Sequence, residues 1–176
     1  MVERPHFRSL RSWAEFDDPV KPALHKLKYR RDISLGDALA ADMLSFVLDL
    51  RWPVDLIIPI PLGDKRRRER GYNQVAMIAH PLALAMKLGY DPLGLIRSKE
   101  TRSQVGLTRE ERKENVQNAF AGGGNISGRT ILVFDDVATT GSTLSSAADA
   151  LLAAGAKDVY AVTVARALPH HGLTHA

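Results

Sequence analysis

The chain has 176 residues, 45% of them hydrophobic and 25% charged, and a formal net charge of +4. This length and balance predict one soluble globular domain with a sizeable core, and no apolar run reaches the 18 or so residues that suggest a membrane span. Cysteine is absent, which excludes disulfides, thiol catalysis and Cys-based zinc sites; the N-terminus lacks the apolar core of a signal peptide, and the cytoplasm is the expected compartment.

Residues 1–33 are basic and aromatic, with Trp13, Phe16 and Tyr29, and are broken by Pro19 and Pro22. Their weak periodicity reads as an appendage or hood on the main fold. From Ser34 to about Leu50, a stripe of Leu39, Met43, Phe46, Val47 and Leu50 predicts a helix. Ser34 is its cap, Asp37 lies in its first turn and Pro53 lies beyond its end. Asp55–Ile60 is a short apolar strand, and Pro59 and Pro61 mark where its ladder must stop. A basic loop, Gly63–Gly71, follows. Tyr72–Leu88 reads as a helix ended by Gly89, with a kink or break expected at Pro81.

Leu93–Ile96 is a candidate short strand. Residues 97–108 are polar and read as a long loop, and Thr108-Arg-Glu-Glu111 fits a capping box for a short charged helix, Arg109–Asn118. Gly122–Gly124 is a turn. A second apolar strand opens at Ile131, a helix covers Ser142–Ala154 with Gly155 as its stop, and Val159–Val164 is a final strand. Strands alternating with helices predict an α/β fold with a mainly parallel central sheet flanked by helices. The expected division is an appendage at 1–33, a main domain at 34–168 and a loose tail at 169–176.

Ile131–Leu144 reads Ile-Leu-Val-Phe-Asp-Asp-Val-Ala-Thr-Thr-Gly-Ser-Thr-Leu. An apolar run bounded by turn residues is the pattern of a buried parallel strand. Ligands of open α/β sheets bind at the carboxyl ends of such strands, so Asp135 and Asp136 fall where chemistry is expected. The loop Ala138–Thr143 carries N–H groups and hydroxyls into a helix N-terminus, which suits a phosphate. Acids beside a phosphate cradle point to a phosphorylated sugar. Paired acids can also cap a turn, and a Thr-Thr-Gly-Ser loop can be an ordinary helix cap. The run is neither a Walker A loop nor a dinucleotide fingerprint, since Gly-Lys-Ser/Thr and G-x-G-x-x-G are both missing.

The second informative segment is Ile57–Gln74, Ile-Ile-Pro-Ile-Pro-Leu-Gly-Asp-Lys-Arg-Arg-Arg-Glu-Arg-Gly-Tyr-Asn-Gln. A charge run of this kind is often a solvated surface patch. Its place after a strand end turns it toward the same crevice as Asp135, where cations and N–H donors would suit a pyrophosphate. His170, His171 and His175 sit in a short polar tail and read as solvated rather than metal-binding. His25 and His80 have no pattern around them.

The acid-pair run resembles the 5-phosphoribosyl-1-pyrophosphate (PRPP) motif of type I phosphoribosyltransferases. The Pro-x-Pro strand end followed by an Arg-rich loop and Arg-Gly-Tyr-Asn-Gln is similar to the ComF family within that superfamily. Leu27-Lys28-Tyr29, Arg97-Ser-Lys99-Glu-Thr101-Arg-Ser-Gln104 and Arg112-Lys-Glu-Asn115-Val-Gln-Asn-Ala-Phe120 also resemble ComF segments, so the match runs over about 24–166. Many ComF-type proteins begin with a Cys-rich, zinc-ribbon-like segment; this chain contains no cysteine, and functions of that segment are not carried over.

The resemblance implies transfer of a phosphoribosyl group from PRPP to an unidentified acceptor, with release of pyrophosphate and Mg2+ as cofactor. Asp135 and Asp136 would hold the ribose hydroxyls, or Mg2+ through water. Ala138, Thr139, Thr140, Gly141, Ser142 and Thr143 would cradle the 5′-phosphate, and Arg66, Arg70 and Gly71 the pyrophosphate. Lys99 and Arg102 would act from a loop that closes over PRPP. A PRPP or nucleotide sensor without catalysis is one alternative. Another is an accessory factor for DNA uptake that handles single-stranded DNA. The basic cluster Lys65–Arg70 favours the latter, but Tyr72 is the one aromatic beside it, where single-strand binders use stacking platforms. A homodimer is admitted as an assembly, and a membrane is not expected as a partner.

Overall fold

The computed structural model describes residues 7–98 and 119–167. Its centre is a five-stranded sheet in the order β1-β7-β6-β2-β3, with every neighbouring pair parallel. The strands are β1 (Leu10–Glu15), β2 (Leu56–Pro59), β3 (Gly89–Tyr90), β6 (Thr130–Ala138) and β7 (Asp158–Arg166). A small antiparallel pair, β4 (Leu95–Arg97) and β5 (Phe120–Gly122), stands apart from it. The helices are α1 (Val20–Arg30), α2 (Ile33–Asp49), α3 (Asp64–Arg70), α4 (Gln74–Met86) and α5 (Ser142–Ala153).

Side chains alternate across a strand, and the sheet separates two cores accordingly. Ile57, Leu132, Phe134, Val162 and Val164 face one side, packed with Leu24 and Leu27 of α1, Leu39 and Met43 of α2, and Ile78 and Leu82 of α4. Ile58, Ile131, Val133 and Ala161 face the other side, packed with Leu144, Ala147 and Leu151 of α5. Burial on both faces is why the strands read as unbroken apolar runs instead of alternating ones. The mainly parallel α/β sheet expected from the sequence is therefore the fold observed.

Several local expectations need correction. The segment before residue 34 is no separate hood in the residues described: β1 pairs in register with β7 from Leu10↔Ala161 to Glu15↔Arg166, and α1 buries Leu24 and Leu27. Helix α2 is capped by Asp32, whose Oδ1 accepts from the Leu35 N–H at 3.1 Å, and not by Ser34. The Gly63–Gly71 loop is a short helix closed by Gly71 at φ 72°, so glycine supplies the left-handed turn rather than loop flexibility. Helix α4 begins after the Asn73 cap and ends at Lys87, itself left-handed at φ 56°, while Gly89 opens β3. The expected helix at 109–118 lies outside the described residues.

Pro81 does not break α4. A proline has no N–H for the carbonyl four residues earlier, here that of Met77. Helix α2 approaches at that point: a Cβ on Gly36 would stand 2.7 Å from the Met77 carbonyl oxygen. The two irregular residues occupy one close crossing, where glycine lets the backbones meet.

Leu27 is fully buried, so Leu27→Ala is expected to lose about 2–5 kcal/mol of stability, measured by urea unfolding. An unchanged midpoint would show that the N-terminal segment is an appendage after all.

Candidate active site

The chain crosses from β2 through α3 and α4 to β3 on one side, and from β6 through α5 to β7 on the other. Helices α4 and α5 pack on opposite faces. The strand order thus reverses between β2 and β6, and the carboxyl ends of those two strands flank the crevice where open α/β sheets bind ligands. Pairing between them ends at Pro59↔Phe134, with a last bond from the Ile60 N–H to the Phe134 carbonyl at 2.9 Å. Pairing between β6 and β7 continues to Ala138↔Arg166. The prolines at 59 and 61 lack ladder donors, and β6 runs on beyond its β2 neighbour. The residues on that extension are Asp135, Asp136, Val137 and Ala138.

The acids lie inside the strand, not after it as the apolar run suggests. Their side chains stay neighbours: the Asp135 carboxyl lies within hydrogen-bond reach of Asp136 and feels the charge of Lys28. Asp136, 8% exposed, lies on the α1–α4 side. Its Oδ2 is 2.8 Å from Lys28 Nζ on α1 and accepts from Gln74 Nε2 at 3.1 Å. Asp135 is half-buried, and its Oδ1 accepts from the Asp136 backbone N–H at 2.8 Å. Burial foremost, and then the charge of Asp136, push the Asp135 carboxyl up to about 8. Two adjoining acids in a partly dry site resist ionising together.

The phosphate-loop candidates follow directly. Ala138 is the buried last residue of β6, Thr139 and Thr140 are exposed, and Gly141 caps α5 at φ 81°. Ser142 and Thr143 form the first turn of α5. The Thr140 hydroxyl lies 2.7 Å from the Ser142 hydroxyl and accepts from the Ser142 N–H at 3.4 Å. Glycine at 141 permits the positive φ that turns the chain from strand into helix.

The cations predicted for pyrophosphate are less uniform. Arg66 is exposed on α3. Arg70 is half-buried at the end of α3; its guanidinium sits 5.4 Å from the centre of the Tyr29 ring and donates to Gln74 Oε1 at 2.9 Å. Gly71 is exposed. Lys99 and Arg102 lie outside the described residues.

Comparison with known proteins gives the chain a family. The profile of the phosphoribosyl transferase domain matches residues 76–172, a span holding the acid pair and the loop into α5. The chain belongs to the phosphoribosyl transferase family. The DNA utilization protein YhgH of Shigella flexneri is 33% identical over 169 residues, which cover 93% of this chain and 74% of that protein. Competence protein F of Haemophilus influenzae is 27% identical, covering 95% and 76%. Competence protein ComFC of Bacillus subtilis is 30% identical, covering 84% and 60%. These relatives make it a ComF-type phosphoribosyl transferase-like protein, as its motifs suggest.

Within this ComF-type site, the roles of Lys28, Tyr72 and Gln74 were not assigned from the sequence. Lys28 had a signal: with Leu24 and Leu27 it forms an i, i+3, i+4 set on the buried face of α1, where a lysine needs a partner. The Tyr72 hydroxyl donates to the Leu27 carbonyl at 2.8 Å and accepts from the Arg31 N–H at 2.9 Å. Asn73 donates to the Ile60 carbonyl at 2.9 Å while capping Val75. Residues 70–74 thus tie α1, the end of β2 and the acid on β6 together.

Tyr72→Phe removes both hydroxyl bonds and is expected to cost about 1–2 kcal/mol, with faster amide exchange at Arg31 by NMR. Wild-type exchange there would show that the hydroxyl does not hold α1.

Proposed function

We propose that the chain binds PRPP in the β2–β6 crevice, together with Mg2+, and transfers its phosphoribosyl group to an acceptor with release of pyrophosphate. The observation that carries this is the meeting of two acids with a helix-opening Thr-Thr-Gly-Ser-Thr loop at the point where the strand order reverses. The loop N–H groups and hydroxyls suit the 5′-phosphate, and a carboxylate on the same strand suits the ribose hydroxyls. Catalysis would rest on positioning and on stabilising charge as the carbon–oxygen bond to pyrophosphate breaks. The reading keeps Arg66, Arg70 and Gly71 at the pyrophosphate and takes Lys99 and Arg102 from the resemblance alone. It places the protein in the cytoplasm.

The carboxylate oxygens suit Mg2+, a hard cation. Oδ2 of Asp136 already has Lys28 and Gln74, so Asp136 fits a contact through water, and Asp135 would take the ion directly as its ionised form, which the cation's own charge favours against the burial that raises it. Among the described residues no three His, Asp or Glu side chains converge, so further oxygen ligands would come from PRPP and water. When bound, the ion would neutralise charge on the departing diphosphate.

A second reading is favoured by the names of the relatives, a DNA utilization protein and competence proteins, and by helix α3. Five of its seven residues are Lys or Arg, and Tyr29, 64% exposed, lies beside Arg70. Tyr72 is committed to α1, and the Tyr29 ring already meets Arg70 and His25, so this reading rests on phosphate contacts from the cations of α3 rather than on base stacking. On it, α3 binds single-stranded DNA beside a retained PRPP site.

The double variant Asp135→Asn, Asp136→Asn is expected to keep its circular dichroism spectrum and lose PRPP binding by at least about a hundredfold, as charge-assisted contacts would, measured by equilibrium dialysis with Mg2+. Binding equal to wild type would overturn the assignment of the site.

A further inference from the structure

We infer that Lys28 is a positioning residue of the crevice: it fixes Asp136 by one carboxylate oxygen, so that the acid pair meets a ribose phosphate in a single arrangement. The inference rests on the PRPP reading of the site and adds a residue from a helix outside the matched span 76–172.

Three separately encoded segments converge on Asp136. Strand β6 supplies the carboxylate, α1 brings Lys28 Nζ to 2.8 Å, and α4 brings Gln74 Nε2 to 3.1 Å. Both donors reach the same oxygen, Oδ2. An ammonium and an amide on one oxygen set the rotation of the carboxylate, and with it how Asp136 stands against the Asp135 side chain. The side chain of Lys28 is 25% exposed and that of Asp136 11%, so the pair lies at the edge of the crevice rather than deep in the core.

The neighbours of Lys28 are held on both sides. Tyr72 binds the Leu27 carbonyl before it and the Arg31 N–H after it. Arg70 covers the Tyr29 ring and bonds to Gln74, the other donor to Asp136. The Arg-Gly-Tyr-Asn-Gln run therefore works as a clasp. It seats α1 so that a flexible lysine arrives at one oxygen, and it places its own glutamine on that oxygen. A lysine in a plain surface ion pair contributes little and needs no such support. Partners that orient a ligating carboxylate typically change affinity by about 10–100-fold when removed.

The test is calorimetric titration of Lys28→Met and Lys28→Arg with PRPP and with ribose 5-phosphate, both with Mg2+, beside thermal melts of each variant. Ribose 5-phosphate has the sugar hydroxyls and 5′-phosphate but no pyrophosphate. Lys28→Met is expected to weaken both ligands by a similar factor, about tenfold or more, and Lys28→Arg to restore them to within about threefold. Should Lys28→Met fail to fold, Lys28→Gln, which keeps a donor and loses the charge, is expected to show the same parallel loss. A loss confined to PRPP would overturn the inference, because Lys28 would then be touching pyrophosphate itself. Wild-type affinity with a lower melting temperature would also overturn it, leaving Lys28 a structural ion pair and the PRPP reading intact. If the wild type binds neither ligand, the reading and the inference fall together.

Discussion

A carboxylate at the end of a buried strand costs free energy unless donors meet it, and the arrangement around Asp136 meets that cost with Lys28 and Gln74. Neither donor comes from a neighbouring strand. One requires α1 to lie against the sheet, and the other requires α4 to start where β2 has just ended. The position of α1 in turn depends on Tyr72 and Arg70, and that of α4 on Asn73 bridging back to Ile60. The same contact that satisfies one acid therefore holds together the N-terminal helix, the strand end and the crevice.

The opening beside that contact has its own cause. Strand β2 stops pairing at Phe134 while β7 follows β6 four residues further, and prolines at 59 and 61 are a sufficient reason for the shorter ladder. The acids stand on the part of β6 that β2 leaves behind. Asp136 faces the α1–α4 side, and the Asp135 carboxyl, buried beside it, is pushed up to about 8. One acid is thus held by a lysine and an amide, and the other is kept high by burial and by its neighbour's charge.

What was legible in the sequence follows from local causes. The apolar runs Leu56–Ile58 and Ile131–Phe134 announce strands buried on both faces, and Gly141 announces the turn into α5, because these depend on near neighbours in the chain. The part that β1 plays was not legible: Leu10–Glu15 alternates imperfectly at a sheet edge, and its partner β7 lies about 150 residues away. Helix α3 was hidden by its charge, since every residue of Asp64–Glu69 is exposed and leaves no apolar stripe to read. The clasp was half legible. Arg70, Tyr72 and Gln74 stood out as a motif, but their partners on α1 and β6 are set by tertiary packing, which a run of charge and polar residues does not show. The Lys99 and Arg102 assignments lie beyond the described residues.

The central claim is that the acids of β6 and the loop into α5 form one binding site for a ribose phosphate. A crystal structure of the protein with PRPP and Mg2+ tests it most directly. The account predicts the 5′-phosphate within hydrogen-bond distance of the N–H groups of residues 139–143, with the ribose hydroxyls at Asp135 or its bound ion. A phosphate seated instead on α3, with the crevice between β2 and β6 empty, would contradict it.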